Sequence, residues 1–204
     1  MEETTGIRMK PIILASASPR RKELLSQAGI PFVVQPSGVD EGAAVLTGSP
    51  AKKAETLAYL KAADVAQGYS EGLVLGADTI VVLDDEIFGK PENEEDAFNM
   101  LTRLSGREHH VITGVALVDA GTGEVKTGSE ITKVRFAQLS PEEIRHYIST
   151  GEPEGKAGAY AVQGIGALLV EGIQGCYANV VGLPLMKLRK MLEEFGNYLL
   201  GKRK

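Results

Sequence analysis

The order of hydrophobic and polar residues along this chain predicts short strands that alternate with amphipathic helices. Apolar runs flanked by turn-forming residues are typical of buried strands, whereas apolar residues three and four positions apart are typical of one-sided helices. The predicted strands cover residues 12–15, 32–35, 73–83, 86–88, 110–119, 124–139 and 167–170. The predicted helices cover residues 19–28, 51–66 and 94–104, followed by one from 141 and one from 184. This order of elements indicates an α/β protein.

A predicted hairpin in the middle of the chain favours a mixed sheet over a purely parallel one. Residues 120–123 (Ala-Gly-Thr-Gly) form a turn between two long apolar strands, which are then antiparallel. No segment has the length and composition of a linker between independent domains. We therefore expect one domain over residues 1–204, with residues 1–10 as an N-terminal extension and residues 201–204 as a basic tail.

Charge and composition exclude several classes of protein. The chain has 204 residues, of which 43% are hydrophobic, and its formal net charge is −5. This charge argues against a broad nucleic-acid-binding face, so any basic site must be local. The single cysteine excludes an internal disulfide and fits a reducing compartment. Because the chain also lacks an apolar run of roughly 20 residues and an apolar signal-peptide core, we expect a cytoplasmic protein without nucleic acid or membrane partners.

Three consecutive cations stand at the predicted start of the first helix. Pro19 suits the first helical position and Ser18 suits the N-cap, but Arg20, Arg21 and Lys22 then meet the positive end of the helix dipole. Each exposed cation there costs about 0.3–1 kcal/mol. A solvated charged surface is the usual interpretation of a charge run, yet this position adds to the repulsion. The pattern therefore favours a site for a multiply charged anion, such as a phosphate chain.

A second unusual position is Asp78, which interrupts a predicted apolar strand. An ionised carboxylate in such surroundings is costly unless it is paired, hydrogen-bonded or bound to metal. Two interpretations have equal weight: an aspartate bonded to nearby backbone, or a metal ligand or general base beside a cleft. Glu41, Lys61 and Lys90 are each ambiguous alone. Together with the cations, these residues suit phosphoryl chemistry, which needs charge neutralisation, a divalent metal and an activated water.

Seven short segments occur in the order found in a known enzyme family. They are LASASPRRKELL at 14–25, VDE at 39–41, GADT at 76–79, GKP at 89–91, LSG at 104–106, GAYAVQG at 158–164 and NVVGLPL at 179–185. In these segments the chain resembles the Maf family of nucleoside triphosphate pyrophosphatases, historically called septum formation inhibitors. The resemblance extends from residue 12 to residue 192 and covers nearly the whole chain.

The resemblance implies a fold, a reaction and a cofactor. The implied fold is inosine-triphosphatase-like (Maf/Ham1), with a mixed central sheet flanked by helices and a cleft between two lobes. The implied reaction converts a nucleoside triphosphate into its monophosphate and pyrophosphate with a divalent cation, which is Mg²⁺ or alternatively Mn²⁺ or Co²⁺. Residues 160–163 resemble the branch that acts on dTTP and UTP, with modified pyrimidine nucleotides as further substrates. A homodimer is implied by the family alone.

The resemblance also implies roles for individual residues. Asp78 matches the family's proton acceptor, and Glu41 matches a position that holds the metal, with Asp78 as a second ligand. Whether Asp78 serves as the base or as a tight metal ligand stays open. The other matched positions are Ser16, Arg21, Lys61 and Lys90, which contact phosphate or support catalysis, and Arg20, Thr79 and Gln163, which are linked to base selection.

Three other functions are compatible with the sequence. The substrate could be 7-methyl-GTP or another non-standard nucleotide. A house-cleaning enzyme for inosine or xanthosine triphosphate would share the implied fold. The chain could also bind a nucleotide and regulate septum formation without useful turnover. The presence of both Glu41 and Asp78 favours an enzyme, and metal-dependent release of pyrophosphate distinguishes an enzyme from a binding protein.

Overall fold

The computed structural model describes residues 11–200, so the predicted extension at 1–10 and tail at 201–204 lie outside the described residues. The strands are β1 Ile12–Leu14, β2 Phe32–Val34, β3 Leu73–Leu83, β4 Glu86–Phe88, β5 Glu108–Asp119, β6 Val125–Phe136 and β7 Val170–Gln174. The α-helices are α1 Pro19–Gln27, α2 Pro50–Ala66, α3 Glu94–Leu104, α4 Pro141–Ser149, α5 Tyr177–Val181 and α6 Leu185–Glu194. Two 3-10 helices cover Ala157–Ala159 and Gly164–Leu169.

The seven strands form one mixed sheet, as the sequence predicts. The strand order is β2-β1-β3-β5-β6-β7, and β4 pairs with β3 outside this path. Strand β1 runs parallel to both β2 and β3, whereas all the other pairs are antiparallel. The predicted hairpin is the β5–β6 pair, in which Val118 lies opposite Val125. The α/β class with a mixed sheet flanked by helices is therefore confirmed.

One edge of β3 is shared by two short strands that do not meet. Strand β5 pairs with β3 along almost its whole length, so β1 and β4 must both lie on the opposite edge. Strand β1 pairs with β3 no further than Leu75, and β4 begins to pair only at Val81. Among the strands of residues 11–200, none consequently pairs with residues 76–80 on that edge. The interruption opens the sheet at its centre and leaves a cleft there.

Helix α2 packs unusually close to the sheet because small residues face each other at the contact. Ala54, Ala58 and Ala62 are fully buried on one face of α2. The opposing sheet positions are Gly76 and Gly114, where any added Cβ atom would overlap the helix backbone. This close approach fixes the position of α2 relative to the middle of β3.

The buried apolar side chains of residues 11–200 form four clusters, of which two are large. The first cluster packs α1 and α6 against β1 and the first half of β3, and includes Leu14, Leu25, Leu75, Leu183, Leu188 and Leu192. The second packs α3 and α4 against the other end of the sheet, and includes Leu83, Leu101, Leu104, Phe136, Ile144 and Tyr147. Within residues 11–200, no helix has the length and apolar character to cross a membrane.

Two local predictions are wrong. The predicted strand at 167–170 is the end of the 3-10 helix Gly164–Leu169, and β7 begins only at Val170. The Glu152 carboxylate, distant in sequence, accepts hydrogen bonds from the N–H groups of Ile165 (3.0 Å) and Gly166 (2.8 Å) and holds this segment as a helical turn. Ser18 occupies the N-cap position of α1, but its side chain makes no capping bond. Its N–H instead donates to Ser16 Oγ at 3.2 Å.

The buried histidine of the second cluster makes the stability of the protein depend on pH. His109 is 1% exposed, and its Nε2 lies 2.8 Å from the Tyr160 hydroxyl. Burial, together with the charge of His110, lowers the pKa of His109 to about 4. Because its unfolded pKa is near 6.5, the unfolded chain binds the extra proton first as pH falls.

We expect this difference to weaken the fold in acid. The contribution of His109 to the free energy of unfolding is fully present above pH 6.5, and about 3 kcal/mol is lost as pH falls from 6.5 to 4. Urea unfolding at pH 7 and pH 4.5 measures the loss. The His109→Gln variant, which cannot titrate, should lose less over the same interval. An equal loss in both proteins would refute the assignment to His109.

Candidate active site

The cleft at the interrupted edge of β3 has a volume of about 780 Å³, which is within the range of small-molecule sites. Its walls come from the start of α1, the loop between β2 and α2, the inner face of α2 and the middle of β3. The segment after β4 and residues 154–162 and 180–182 complete it. Distant parts of the chain therefore converge on the interrupted edge of β3.

The cleft is positively charged although the chain as a whole is negative. Six cationic side chains line it, against three acidic ones. The cations are Arg20, Arg21, Lys53, Lys61, Lys90 and Lys156, and the acids are Glu41, Asp78 and Glu154. A concave site with this excess of cations attracts and concentrates anionic ligands.

Arg21 is the cation from α1 that turns inward. Its Nε donates to the Gly182 carbonyl at 2.9 Å, its Nη1 to Ser16 Oγ at 3.0 Å, and its Nη2 to Thr79 Oγ1 at 3.2 Å. Burial lowers the pKa of Arg21, and the nearby Asp78 carboxylate opposes this shift. The guanidinium is thus held rigidly at the floor of the cleft. Lys22, by contrast, does not line the cleft.

Asp78, Lys61, Glu41 and Lys90 form one chain of alternating charges. Lys61 Nζ lies 2.7 Å from Asp78 Oδ1 and 2.8 Å from Glu41 Oε1, and Lys90 Nζ lies 3.2 Å from Glu41 Oε2. Partial burial by itself raises the pKa of Glu41, but hydrogen bonds and charges from Lys61 and Lys90 outweigh it and lower that pKa. Lys61 therefore contacts two other predicted catalytic residues, Asp78 and Glu41, and Lys90 joins this group through Glu41.

The location of Asp78 argues against the interpretation in which its carboxylate bonds nearby backbone. It lies in the unpaired stretch of β3, two residues after Gly76, so its side chain points to the face covered by α2. There its partner is the ammonium of Lys61, and no hydrogen bond to nearby backbone is present in the described part of the chain. Asp78 is therefore a buried charge at a cleft.

Thr79 belongs to the opposite face of β3 and to a second network. Its hydroxyl lies 3.0 Å from that of Thr113, which in turn donates to the Asn179 carbonyl at 3.0 Å. The Asn179 amide also bonds the Val111 carbonyl and Thr132 Oγ1, both at 3.0 Å. These bonds anchor helix α5 to the sheet. They hold the wall against which Arg21 rests.

Gln163 is the predicted site residue that the structure leaves apart from the others. It is not among the residues that line the cleft, whereas the preceding residue, Val162, is. The other predicted residues, Ser16, Arg20, Arg21, Glu41, Lys61, Asp78, Thr79 and Lys90, all line it.

The structure adds two cations that the sequence analysis did not select. Lys53 and Lys61 are eight residues apart on α2, with Leu57 between them, so all three lie on the face that lines the cleft. This spacing could have identified Lys53. Lys156 lies in an irregular segment and carries no such signal. Burial lowers the pKa of Lys156, and the charge of Arg20 lowers it further.

Glu41 and Asp78 suit a divalent cation of the magnesium type. Mg²⁺ is commonly held by one or two carboxylates together with substrate phosphates and water. Here Lys61 Nζ lies within 2.8 Å of one oxygen of each carboxylate. The two carboxylates can therefore approach the same positive charge. Within residues 11–200, no cluster of three or more His, Cys, Asp or Glu side chains could hold a metal alone. The remaining oxygens would have to come from substrate and water.

All the residues that line the cleft lie within the part of the chain that matches one protein family. Residues 11–195 match the family described as Maf-like protein. A dTTP/UTP pyrophosphatase of Ruminiclostridium cellulolyticum is 54% identical over 94% of this chain and 100% of its own length. One of Symbiobacterium thermophilum is 55% identical over 92% of this chain and 95% of its own.

Among solved structures, a nucleoside-triphosphatase, described as a dITP/XTP pyrophosphatase, from Mycobacterium abscessus has 18% sequence identity and a TM-score of 0.44. The alignment covers 64% of this chain and 76% of that one. The match over residues 11–195 and the full-length relatives at more than 50% identity lead to one conclusion. This chain belongs to the Maf family.

Proposed function

We propose that this protein hydrolyses dTTP and UTP to the nucleoside monophosphate and pyrophosphate. The observation that carries the proposal is the contact of Asp78, Lys61 and Glu41 at the open edge of β3, inside a positively charged cleft. The curated relatives named dTTP/UTP pyrophosphatase support it, because they match nearly the whole chain. The reaction is attack of water on the α-phosphorus with pyrophosphate as the leaving group.

The cleft provides charge neutralisation on several sides of a triphosphate. Arg21 and Lys90 would contact the phosphate oxygens, and Ser16 would supply a hydroxyl next to Arg21. Glu41 and Asp78 would hold Mg²⁺, or Mn²⁺ or Co²⁺ in its place. When bound, such a cation neutralises phosphate charge and lowers the pKa of a coordinated water.

Asp78 would also receive the proton of the attacking water. In the described part of the chain Lys61 engages only the Oδ1 atom of Asp78, so Oδ2 would be the atom that accepts this proton. The Lys61 ammonium would then stabilise the charge that develops on the phosphate oxygens. In the transition state, Asp78 would thus take up the proton of the water, and Lys61 would stabilise the negative charge on the phosphate.

Base selection would depend on the wall formed by Arg20, Thr79 and the segment before Gln163. A site that hydrogen-bonds a polar base edge rejects bases that leave its buried groups unpaired. Arg20 and Lys156 both line the cleft, and both side chains can only donate hydrogen bonds. Donors of this kind suit the carbonyl oxygens of thymine and uracil better than the amino group of cytosine.

We further propose a single functional domain that works in the cytoplasm, with a homodimer as its assembly.

A panel of nucleotides tests the proposal. With Mg²⁺, we expect pyrophosphate release from dTTP, UTP and 5-methyl-UTP, with kcat/KM for CTP lower by about 10²-fold or more. Without metal, release should stop. A clear preference for 7-methyl-GTP or inosine triphosphate would contradict the pyrimidine assignment. Binding of dTTP without any turnover would instead indicate a nucleotide-binding regulator.

A further inference from the structure

We infer that Lys61 takes the place of the divalent cation in the nucleotide-free protein, so that metal enters the site only together with the nucleotide. The inference rests on the proposed function, because it concerns the metal of that reaction. It adds an order of events: the ammonium leaves the two carboxylates when phosphate arrives, and the metal takes its place.

The contacts of Lys61 show that its ammonium already fills a cation position. Nζ contacts Asp78 Oδ1 at 2.7 Å and Glu41 Oε1 at 2.8 Å, so it bridges the two carboxylates assigned to the metal. Lys61 is only 7% exposed, and its Cα lies on the face of α2 that packs tightly on the sheet. A divalent ion held by the same two carboxylates would lie near the ammonium. Repulsion between them is then strong, so only one cation can occupy the position.

The rest of the charge chain can release Lys61 without disturbing the core. The Glu41 side chain is 41% exposed, and that of its other partner, Lys90, is 58% exposed. Lysine carries its charge on a flexible stem, so Nζ can turn toward new acceptors while the backbone of α2 stays in place. The oxygens of a bound triphosphate are such acceptors. Binding of the nucleotide would therefore free the two carboxylates for the metal at the moment when the metal is needed.

Titration with Mn²⁺ in the absence of nucleotide tests the inference, with unbound Mn²⁺ measured by its paramagnetic resonance signal. Wild-type protein should bind Mn²⁺ weakly, whereas Lys61→Met and Lys61→Gln should bind it tighter by about tenfold or more. The matched control is Lys53→Met. It removes the same charge from the same helix and the same cleft, but Lys53 has no ion pair with either carboxylate in the described part of the chain.

Thermal unfolding provides a second measurement of Mn²⁺ binding. Removal of the ammonium leaves Asp78 without its partner, so Mn²⁺ should raise the melting temperature of the Lys61 variants more than that of wild type. If Lys61→Met does not fold, Lys61→Gln keeps a hydrogen-bond donor toward Asp78 and provides the measurement. Affinities of the Lys61 variants no tighter than that of Lys53→Met would overturn the inference.

Pyrophosphate release by the wild-type protein is measured separately. Release from dTTP combined with tight Mn²⁺ binding by the nucleotide-free wild type would refute the placeholder role and leave the proposed function standing. Tighter binding by the Lys61 variants without any pyrophosphate release by wild type would refute the function instead.

Discussion

Replacement of Asp78 by asparagine is expected to lower kcat/KM for dTTP by about 10³-fold and to leave the fold intact. The amide has the shape of the carboxylate but cannot accept a proton from water, and it is a poor ligand for Mg²⁺. General-base catalysis alone contributes about 10²–10⁴-fold, and loss of a metal ligand adds to this. The replacement of one carboxylate oxygen by an amide nitrogen therefore removes both proposed roles of Asp78, as proton acceptor and as metal ligand.

The fold should tolerate Asp78→Asn because its hydrogen bond can persist. The amide oxygen can accept from Lys61 Nζ in place of Oδ1, and Glu41 continues to neutralise that ammonium. Pyrophosphate release gives the activity, and the melting temperature shows whether the fold is retained. Asp85→Asn is the matched control, since Asp85 is exposed in the turn between β3 and β4 and does not line the cleft. Near-normal release by Asp78→Asn would show that Asp78 is not the catalytic carboxylate.

Gly114→Ala is expected to cost about 3 kcal/mol of stability and to reduce activity, although Gly114 itself does not line the cleft. Gly114 lies opposite Asp78 in the β3–β5 ladder, directly under α2. A Cβ atom there would overlap the backbone of Ala54 and Glu55, which is part of the helix and cannot turn aside. Overpacking of this kind usually costs about 1–3 kcal/mol, and the rigid backbone contact places this site at the upper end.

Activity should fall with Gly114→Ala because α2 also carries Lys61. If α2 lifts from the sheet, Nζ moves away from Asp78, and a displacement of about 1 Å can cost about 10²-fold in rate. Urea unfolding and pyrophosphate release measure the two effects. Gly172→Ala serves as the control, since that strand glycine in β7 has open space where the methyl group would go. Similar stability of the two variants would mean that the close approach of α2 is not required.

Most of the fold follows from local features of the sequence. Asn93 accepts from Asp96 N–H at 2.9 Å, and Ser140 forms a complete capping box with Glu143, so α3 and α4 begin where their caps predict. The long apolar strands and the turn between them likewise predict the β5–β6 pair. The 3-10 helix Gly164–Leu169 could not be predicted in this way. Its apolar residues suit either a strand or a helix, and the deciding bonds come from Glu152, far away in sequence.

The sequence predicts which residues form the candidate site better than it predicts how these residues are arranged. The three cations at the start of α1 indicated an anion site because the helix dipole makes them unfavourable there. The structure separates them: Arg21 is buried, Arg20 lines the cleft and Lys22 does not. The pairing of Lys61 with Asp78 depends on how closely α2 approaches the sheet. That approach is set by Gly76 and Gly114, whose importance appears only in three dimensions.

Hydrolysis of dTTP in H₂¹⁸O tests the central claim most directly. If water attacks the α-phosphorus in this cleft, mass spectrometry should find one heavy oxygen in the dTMP and none in the pyrophosphate. Formation of the two products in equal amounts and only with Mg²⁺ completes the expected result. Heavy oxygen in the pyrophosphate, or release of inorganic phosphate and dTDP in its place, would contradict the account.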